Sequence, residues 1–343
     1  MSTLKRVAEM RTGTPAFGEQ SLEEKYQQRI AEGDFAGLDE DPATAAAFDA
    51  DHTVTIAVLG DLHGHIDLAY HLLRRWQVEN KKIDHVLQVG DFGAFPDPSR
   101  ADEETLSCAQ TDPDELGFAA FMDGGNGSFM PYITSCKGRR YALDAPWWFI
   151  KGNHEDFQYL HGLNGDAGKP RPLGENGLFN YLPAGLYALK TKLGSMISMA
   201  ALGGIAPATT NQNPCTKWYT ENETQLLLKH EQPVEILLTH DSSPGVYYEN
   251  AGSPAVERLV NHYAPAYHFF GHYHKSGQIF GASGQTKTIH LNEVNFYQKS
   301  GELRKGCMGI LTWRGPNEHE FKMVKEAWMT GVTRENYRQV LAL

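Results

Sequence analysis

Residues 53–59 (TVTIAVL) are β-branched or apolar throughout, which predicts a strand buried on both faces. After a short polar turn, apolar residues recur at 66, 68, 69, 72, 73 and 76, the period of a helix over 66–80. Further apolar runs predict strands at 85–89, 147–150, 234–239 and 266–270, and at 195–202, where Gly203 and Gly204 end the run. Helices are expected over 220–230 and over 253–263, the latter with Pro254 at its first position. From 277 to 313, short β-runs separated by glycine predict a meander, and 333–343 predicts a terminal helix. Strand–helix alternation early and antiparallel strands late predict two sheets packed face to face with helices outside, an α/β sandwich.

Two stretches break this order. Some 50 residues rich in Asp, Glu, Pro and Gly, including DPSRADEE and DGGNGS, separate the second and third strands. A loop of that length inside a compact domain is usually functional or disordered, so residues 94–146 read as an insert. Residues 156–185 are a second irregular stretch, ending in YLPAG. Residues 1–50 read as a polar N-terminal extension to a folded domain over 51–343. That extension has a helical pattern at 21–33, capped by Ser21 and Glu24, and an Ala-rich stretch at 43–50.

Composition narrows the class. With 343 residues, 41% hydrophobic, 34 Gly and 17 Pro, the chain is a turn-rich globular protein rather than a disordered one. It has no run of 18 apolar residues, and its first residues, MSTLKRVAEMRTG, lack the apolar core of a secretory signal. The four cysteines, at 108, 136, 215 and 307, form no CxxC pair. Reduced thiols in a cytoplasm are therefore expected, without a zinc knuckle or a disulfide framework. A net charge of −11 without a long basic run disfavours tight non-specific binding to nucleic acid.

The chemistry lies in five polar motifs: GDLHGH at 60–65, GDFG at 90–93, GNHE at 152–155, THD at 239–241 and GHYH at 271–274. All fall just after the C-terminal ends of predicted strands, the edge at which open α/β sheets bind ligands. Asp61, His63, Asp91, Asn153, His240, His272 and His274 supply carboxylate, imidazole and amide donors and no thiolate. Such a set suits Mn²⁺, Fe or Zn²⁺ better than Ca²⁺. It exceeds one tetrahedral ion and fits two if a carboxylate bridges. Two divalent ions about 3.5–4 Å apart can generate a hydroxide and clamp the oxygens of an in-line phosphoryl displacement. Gly60, Gly90, Gly152 and Gly271 each precede a candidate ligand. The two histidines of GHYH, two residues apart, would share one face of a strand.

Together the five blocks resemble those of the calcineurin-like metallophosphoesterase superfamily over residues 53–275. The resemblance implies a four-layer αββα sandwich of two mixed β-sheets flanked by helices. It implies that Asp61, His63 and His274 hold one metal, that Asn153, His240 and His272 hold the other, and that Asp91 bridges. His154 would contact the phosphate and protonate the leaving group. Protein phosphatases of the superfamily carry a GDxxDRG block; here Ala94 and Phe95 stand at its Asp and Arg positions. That departure argues against a protein phosphatase. It also removes the carboxylate that supports the catalytic histidine, for which Glu155 or Asp156 are candidate substitutes. GDFGAF, the long insert, FIKGNHE, YLPAG and THDSSPG are similar instead to the RNA lariat-debranching enzymes, many of which have Cys at the position of Asp61.

The expected function is hydrolysis of a phosphate ester, above all a phosphodiester of nucleotide or RNA type. The alternatives are a monoesterase or protein phosphatase of the same superfamily, and a binding scaffold that has lost the chemistry. The expected partner is the phosphate-ester substrate, with no membrane and no obligate protein partner. Lys137, Arg139 and Arg140 are candidate phosphate contacts or a solvated loop cluster. His65 and Asp241 are candidates for supporting ligands or for plain turn hydrogen bonds. Tyr247 and Tyr248 are candidates for stacking on a base or for core packing.

Overall fold

The computed structural model describes residues 52–122, 143–163, 168–173, 177–275, 277–283 and 286–341. The proposed extension, with its helical patterns at 21–33 and 43–50, and the candidate contacts Lys137, Arg139 and Arg140 lie outside the described residues.

Among the described residues the strands form two mixed sheets. The first comprises β1 (Val54–Leu59), β2 (His85–Gln88), β3 (Trp147–Phe149), β4 (Arg171–Leu173), β5 (Phe179–Tyr181), β12 (Met308–Gly315) and β13 (Glu318–Met323), in the order β13-β12-β1-β2-β3-β5-β4. The second comprises β6 (Gly185–Lys190), β7 (Met196–Leu202), β8 (Ile236–Thr239), β9 (Tyr267–Phe270), β10 (Gln278–Ser283) and β11 (Thr286–His290), in the order β10-β11-β9-β8-β7-β6. The centres of both sheets are parallel: β1, β2, β3 and β5 in one, β7, β8, β9 and β11 in the other.

Three apolar layers explain the stacking. Along β1, Val54, Ile56 and Val58 pack with Ile197, Met199, Leu238, Phe269 and Ile289 of the second sheet, so this layer lies between the sheets. Ala57 and Leu59 point the other way, onto Leu68, Leu72 and Trp76 of α1 (Ile66–Glu79). On the far side, Ala200, Leu202 and Leu237 pack against α5 (Glu221–Leu228) and α6 (Pro254–Tyr263) through Leu227, Val256, Leu259 and Tyr263. A strand with apolar residues on both faces is what this four-layer αββα arrangement requires of its inner elements. The expected fold class is therefore the observed one. Helix α5 starts on a capping box between Thr220 and Glu223, and α6 on Ser253, whose hydroxyl accepts the Val256 N–H, with Pro254 at the first position.

Four readings change. The meander expected over 277–313 is split between sheets: β11 pairs parallel with β9, whereas β12 crosses over to lie antiparallel on β1. Part of the expected insert is helical: it holds α2 (Glu103–Ala109), a short 3₁₀ turn at Pro113–Leu116 and α3 (Gly117–Met122), whose Phe118 and Phe121 pack against Phe92 and Phe179. The irregular stretch 156–185 holds α4 (Phe157–Gly162), β4 and β5. The terminal helix α7 is short, Tyr337–Val340.

Candidate metal centre

All seven candidate ligands follow the C-terminal ends of parallel strands. Asp61 and His63 come after β1, Asp91 after β2, Asn153 after β3, His240 after β8, and His272 and His274 after β9. The face-to-face stacking of the sheets brings these ends together. The turns are also tied directly: the Leu62 and His63 N–H groups both donate to the Asp91 carbonyl at 2.8 Å, and the Gly271 N–H donates to the His240 carbonyl at 3.2 Å.

Two clusters result, and Asp91 belongs to both. In the first, single donor atoms of Asp61, His63, Asp91 and His274 lie within 4.8 Å of one another; in the second, those of Asp91, His240 and His272 do. Asn153 joins the second cluster, its Oδ1 lying 3.0 Å from His240 Nε2. Asp61 and Asp91 are fully buried. The Asp91 Oδ1 atom accepts from the Asn153 and His154 N–H groups at 2.5 and 2.7 Å. Its Oδ2 has no hydrogen-bond partner and faces His240 Nε2 at 3.4 Å and His63 Nε2 at 3.7 Å. One Asp61 oxygen accepts the His272 N–H at 2.8 Å and lies 3.1 Å from His274 Nε2, while Oδ1 has no hydrogen-bond partner.

Backbone strain is concentrated here. Five non-glycine residues with positive φ occur among the described residues, and four are His63 (42°), Asp91 (51°), His272 (72°) and His274 (46°). Each such conformation costs on the order of 1–3 kcal/mol and persists only where the surroundings impose it. The close approach also explains two glycines: a Cβ on Gly152 would fall onto the Asp91 carboxylate, and one on Gly271 onto that of Asp61. The two histidines of GHYH lie beyond the end of β9 and not within a strand, so they do not share a face: His272 joins the second cluster and His274 the first.

The profile of the calcineurin-like phosphoesterase family matches residues 54–276, well over half of the chain. The chain belongs to that family. Among solved structures it is similar to TT1561 of Thermus thermophilus (12% identity, TM-score 0.43, covering 80% of this chain and 100% of that one). It is similar also to GAP50, the anchor in the inner membrane complex of Plasmodium (11%, 0.43, 84% and 94%), and to a novel archaeal phosphodiesterase (12%, 0.32, 79% and 100%). No curated protein matches the chain significantly.

The residues of this calcineurin-like chain fit divalent cations. Two buried carboxylate oxygens lack partners, and the Nε2 atoms of His63 and His274 face each other at 3.1 Å, where a shared cation would relieve the contact. Within the protein itself the carboxylates are answered by imidazolium. Burial disfavours charge on His240, but Asp91 and Asp61 outweigh it and raise the ring to about 10. His274 is raised against its burial to about 9 by Asp61. Burial and the His240 charge push His272 down to about 4, and burial lowers His63. Bound cations would displace the imidazolium protons, since ligating histidines must be neutral. The His240 ring is already oriented for this by its Nδ1, 2.9 Å from the Val89 carbonyl, which leaves Nε2 facing the cluster.

His154 stands beside the first cluster, its ring centre 5.3 Å from that of His63. Neither expected substitute supports it. Glu155 turns inward and accepts the N–H groups of Phe92 (2.8 Å) and Ala94 (2.7 Å). Asp156 caps α4 and pairs with Arg100 at 2.8 Å. The supporting carboxylate is Asp102 in the insert, whose Oδ2 lies 3.0 Å from His154 Nδ1. Burial disfavours charge on His154, but Asp102, Asp91 and Glu104 outweigh it and raise the ring to about 9. Asp102 itself is lowered to about 2, against partial burial, by His154 and by the Thr105 N–H that it caps. Its signal in the sequence is that of a helix cap alone.

His65 is buried between the Leu62 carbonyl (3.0 Å) and Asp112 (3.0 Å), where it braces the 61–65 turn. Asp241 accepts from the Tyr273 hydroxyl at 2.7 Å and from the Ser242 N–H. Tyr247 stacks on Tyr273 at 5.0 Å, whereas Tyr248 is exposed.

Asp91→Asn is expected to lose both ions or leave one weakly held, against about two per wild-type chain by elemental analysis. Wild type that takes up no transition metal under any loading condition would count decisively against the centre. A second expectation concerns pH. Were His154 to act as a general acid, it would have to hold its proton, and turnover should fall as pH rises through its pKa. Asp102→Asn removes the acceptor charge that raises this pKa, so the alkaline limb of the kcat profile should move to lower pH. An unmoved limb would show that Asp102 does not set the protonation of His154.

Proposed function

We propose that this chain hydrolyses a phosphodiester, with Asp61, His63 and His274 holding one divalent ion, Asn153, His240 and His272 the other, and Asp91 bridging. Bound ions would supply Lewis-acid polarisation of the phosphoryl oxygens and a lowered pKa for an attacking water. The protein's own groups orient and protonate. The N–H groups of Asn153 and His154 are fixed on the Asp91 carboxylate, which sets the histidine in register with the cluster. With Nδ1 engaged by Asp102, the His154 Nε2–H is left to donate to the leaving oxygen.

The preference for a diester rests on the charges beside His154. Glu104 lies 3.7 Å from His154 Nε2. The two arginines of the adjoining cleft, Arg304 and Arg334, are paired with Glu293 at 2.6 Å and Asp112 at 2.7 Å. Ala94 and Phe95, at the position of the protein phosphatases' Asp–Arg pair, are buried and apolar. A terminal phosphate with two charges would meet acid and find no uncommitted arginine among the described residues that line this cleft. A diester carries one charge and meets less repulsion. The debranching-like layout makes 2′,5′-linked dinucleoside monophosphates one arm of a substrate screen.

His154→Ala should keep its metals and lose about 10²–10⁴-fold in turnover on alkyl esters. The loss should shrink for nitrophenyl esters, whose leaving group needs no proton; an equal loss on both would remove His154 from the role of acid. For matched nitrophenyl substrates, kcat/KM of the diester should exceed that of the monoester. A clear monoester preference, with phosphoprotein also dephosphorylated, would favour the phosphatase alternative.

A further inference from the structure

Beyond the metal ligands, a cleft of about 500 Å³ opens from His63, His154 and His274. That volume suits a small organic group and not a folded partner. One wall is α2 and the turn after it; the other is formed by residues 293–304 and by Arg334. Because His154 faces this cleft, the substituent lodged there is the departing alcohol, an assignment that rests on the diesterase reading above.

Three features define its chemistry. First, the arginines are neutralised in place, Arg304 by Glu293 and Arg334 by Asp112, with Glu104 adding further acid. A second phosphate would find no net positive field. Second, the wall carries Ser107, Gln110 and Gln298, all exposed, whose side chains make no hydrogen bond among the described residues. Thr111 beside them engages only the Cys108 carbonyl. Third, the aromatic residue of the lining, Phe296, is buried at 1% exposure with the Arg334 guanidinium 5.8 Å above its ring, so no open apolar face awaits an acyl or aryl group. Amide and hydroxyl tips without partners, on a wall with no net positive charge, match a group with several hydroxyls and no anionic charge.

We infer that the cleft formed by α2 and residues 293–304 binds an uncharged, polyhydroxylated leaving group, such as the sugar of a nucleoside or a polyol. The enzyme is thereby directed to small diesters bearing a single phosphate and away from polyphosphorylated chains and lipid-like esters.

The test is a series of thymidine 5′-phosphodiesters that differ only in the departing alcohol: thymidine through its 3′-hydroxyl, glycerol, 1-butanol, or 5′-phosphorylated thymidine. Products are separated chromatographically with the metal-loaded enzyme. The thymidine or the glycerol ester should exceed the butyl and phosphorylated esters in kcat/KM by about tenfold, the worth of one or two hydrogen bonds. The first two arms separate a nucleoside from a polyol. In Gln110→Ala and Gln298→Ala the ratio to the butyl ester should fall towards one. A butyl ester cleaved as well as the others, a phosphorylated ester cleaved best, or a ratio indifferent to both substitutions would overturn the inference while the diesterase reading stood. Hydrolysis of monoesters with no diester cleaved would overturn both.

Discussion

Two carboxylates buried among histidines at the meeting edge of two sheets are the constraint around which this structure is arranged. Asp61 and Asp91 are fully buried, and charge in such a place is tolerated only when it is answered. Asp91 divides the task between its oxygens: one is tied by two backbone N–H groups, and the other is turned bare towards His240 and His63. The strained backbone follows from the same need. His63, Asp91, His272 and His274 adopt left-handed conformations that a random coil seldom visits, and with them their donors gather in the two clusters that share Asp91. The apolar layer between the sheets, by fixing β1, β2, β8 and β9, holds those turns in place.

Much of this is legible locally. The strand over 53–59 is apolar on both faces because both faces are covered, and such a run reads the same in sequence and in structure. The ligand candidates are legible as residue types at strand ends, and the helices through their caps and periods. What escapes depends on partners distant in the chain. A short β-run carries no mark of whether its neighbour is the next run or a strand 250 residues earlier, so sequence order groups β12 with β10 and β11 although it pairs with β1. The alternation rule puts His272 and His274 on one face; two positive φ angles instead send them to different clusters.

Asp102 shows the limit more sharply. Within DPSRADEE it is one acid among several, and its visible role is to cap α2. The same carboxylate then reaches His154, 52 residues further along the chain. Glu155, adjacent in sequence, is instead committed to the N–H groups of Phe92 and Ala94. A carboxylate on so short a side chain has so little reach that proximity along the chain is a weaker guide than the path of the backbone. Where the protein phosphatases of the superfamily carry an Asp–Arg pair, this chain has Ala94 and Phe95, and it is Asp102 of the insert that meets His154.

The cleft wall and the ligand turn are mechanically one unit, which joins selectivity to the metal centre. Arg334 neutralises Asp112, and Asp112 also binds His65, which braces the carbonyl of Leu62 beside the His63 ligand position. Two residues further along, Arg338 and the Tyr337 hydroxyl clamp Asp114, and Arg338 reaches Asp67 at the start of α1. The charge pair that leaves the cleft neutral is thus the one that positions the 61–65 turn. A cation of Arg334 set free to bind a second phosphate would leave Asp112, in a buried place, with His65 as its one remaining cationic partner among the contacts described. The brace on the turn beneath would be weakened, because a buried carboxylate that loses one of two cationic partners holds its charge less firmly. The Arg334–Asp112 pair thus serves the cleft and the ligand turn together, and the lack of net positive charge on this wall is joined to how the metal turn is held.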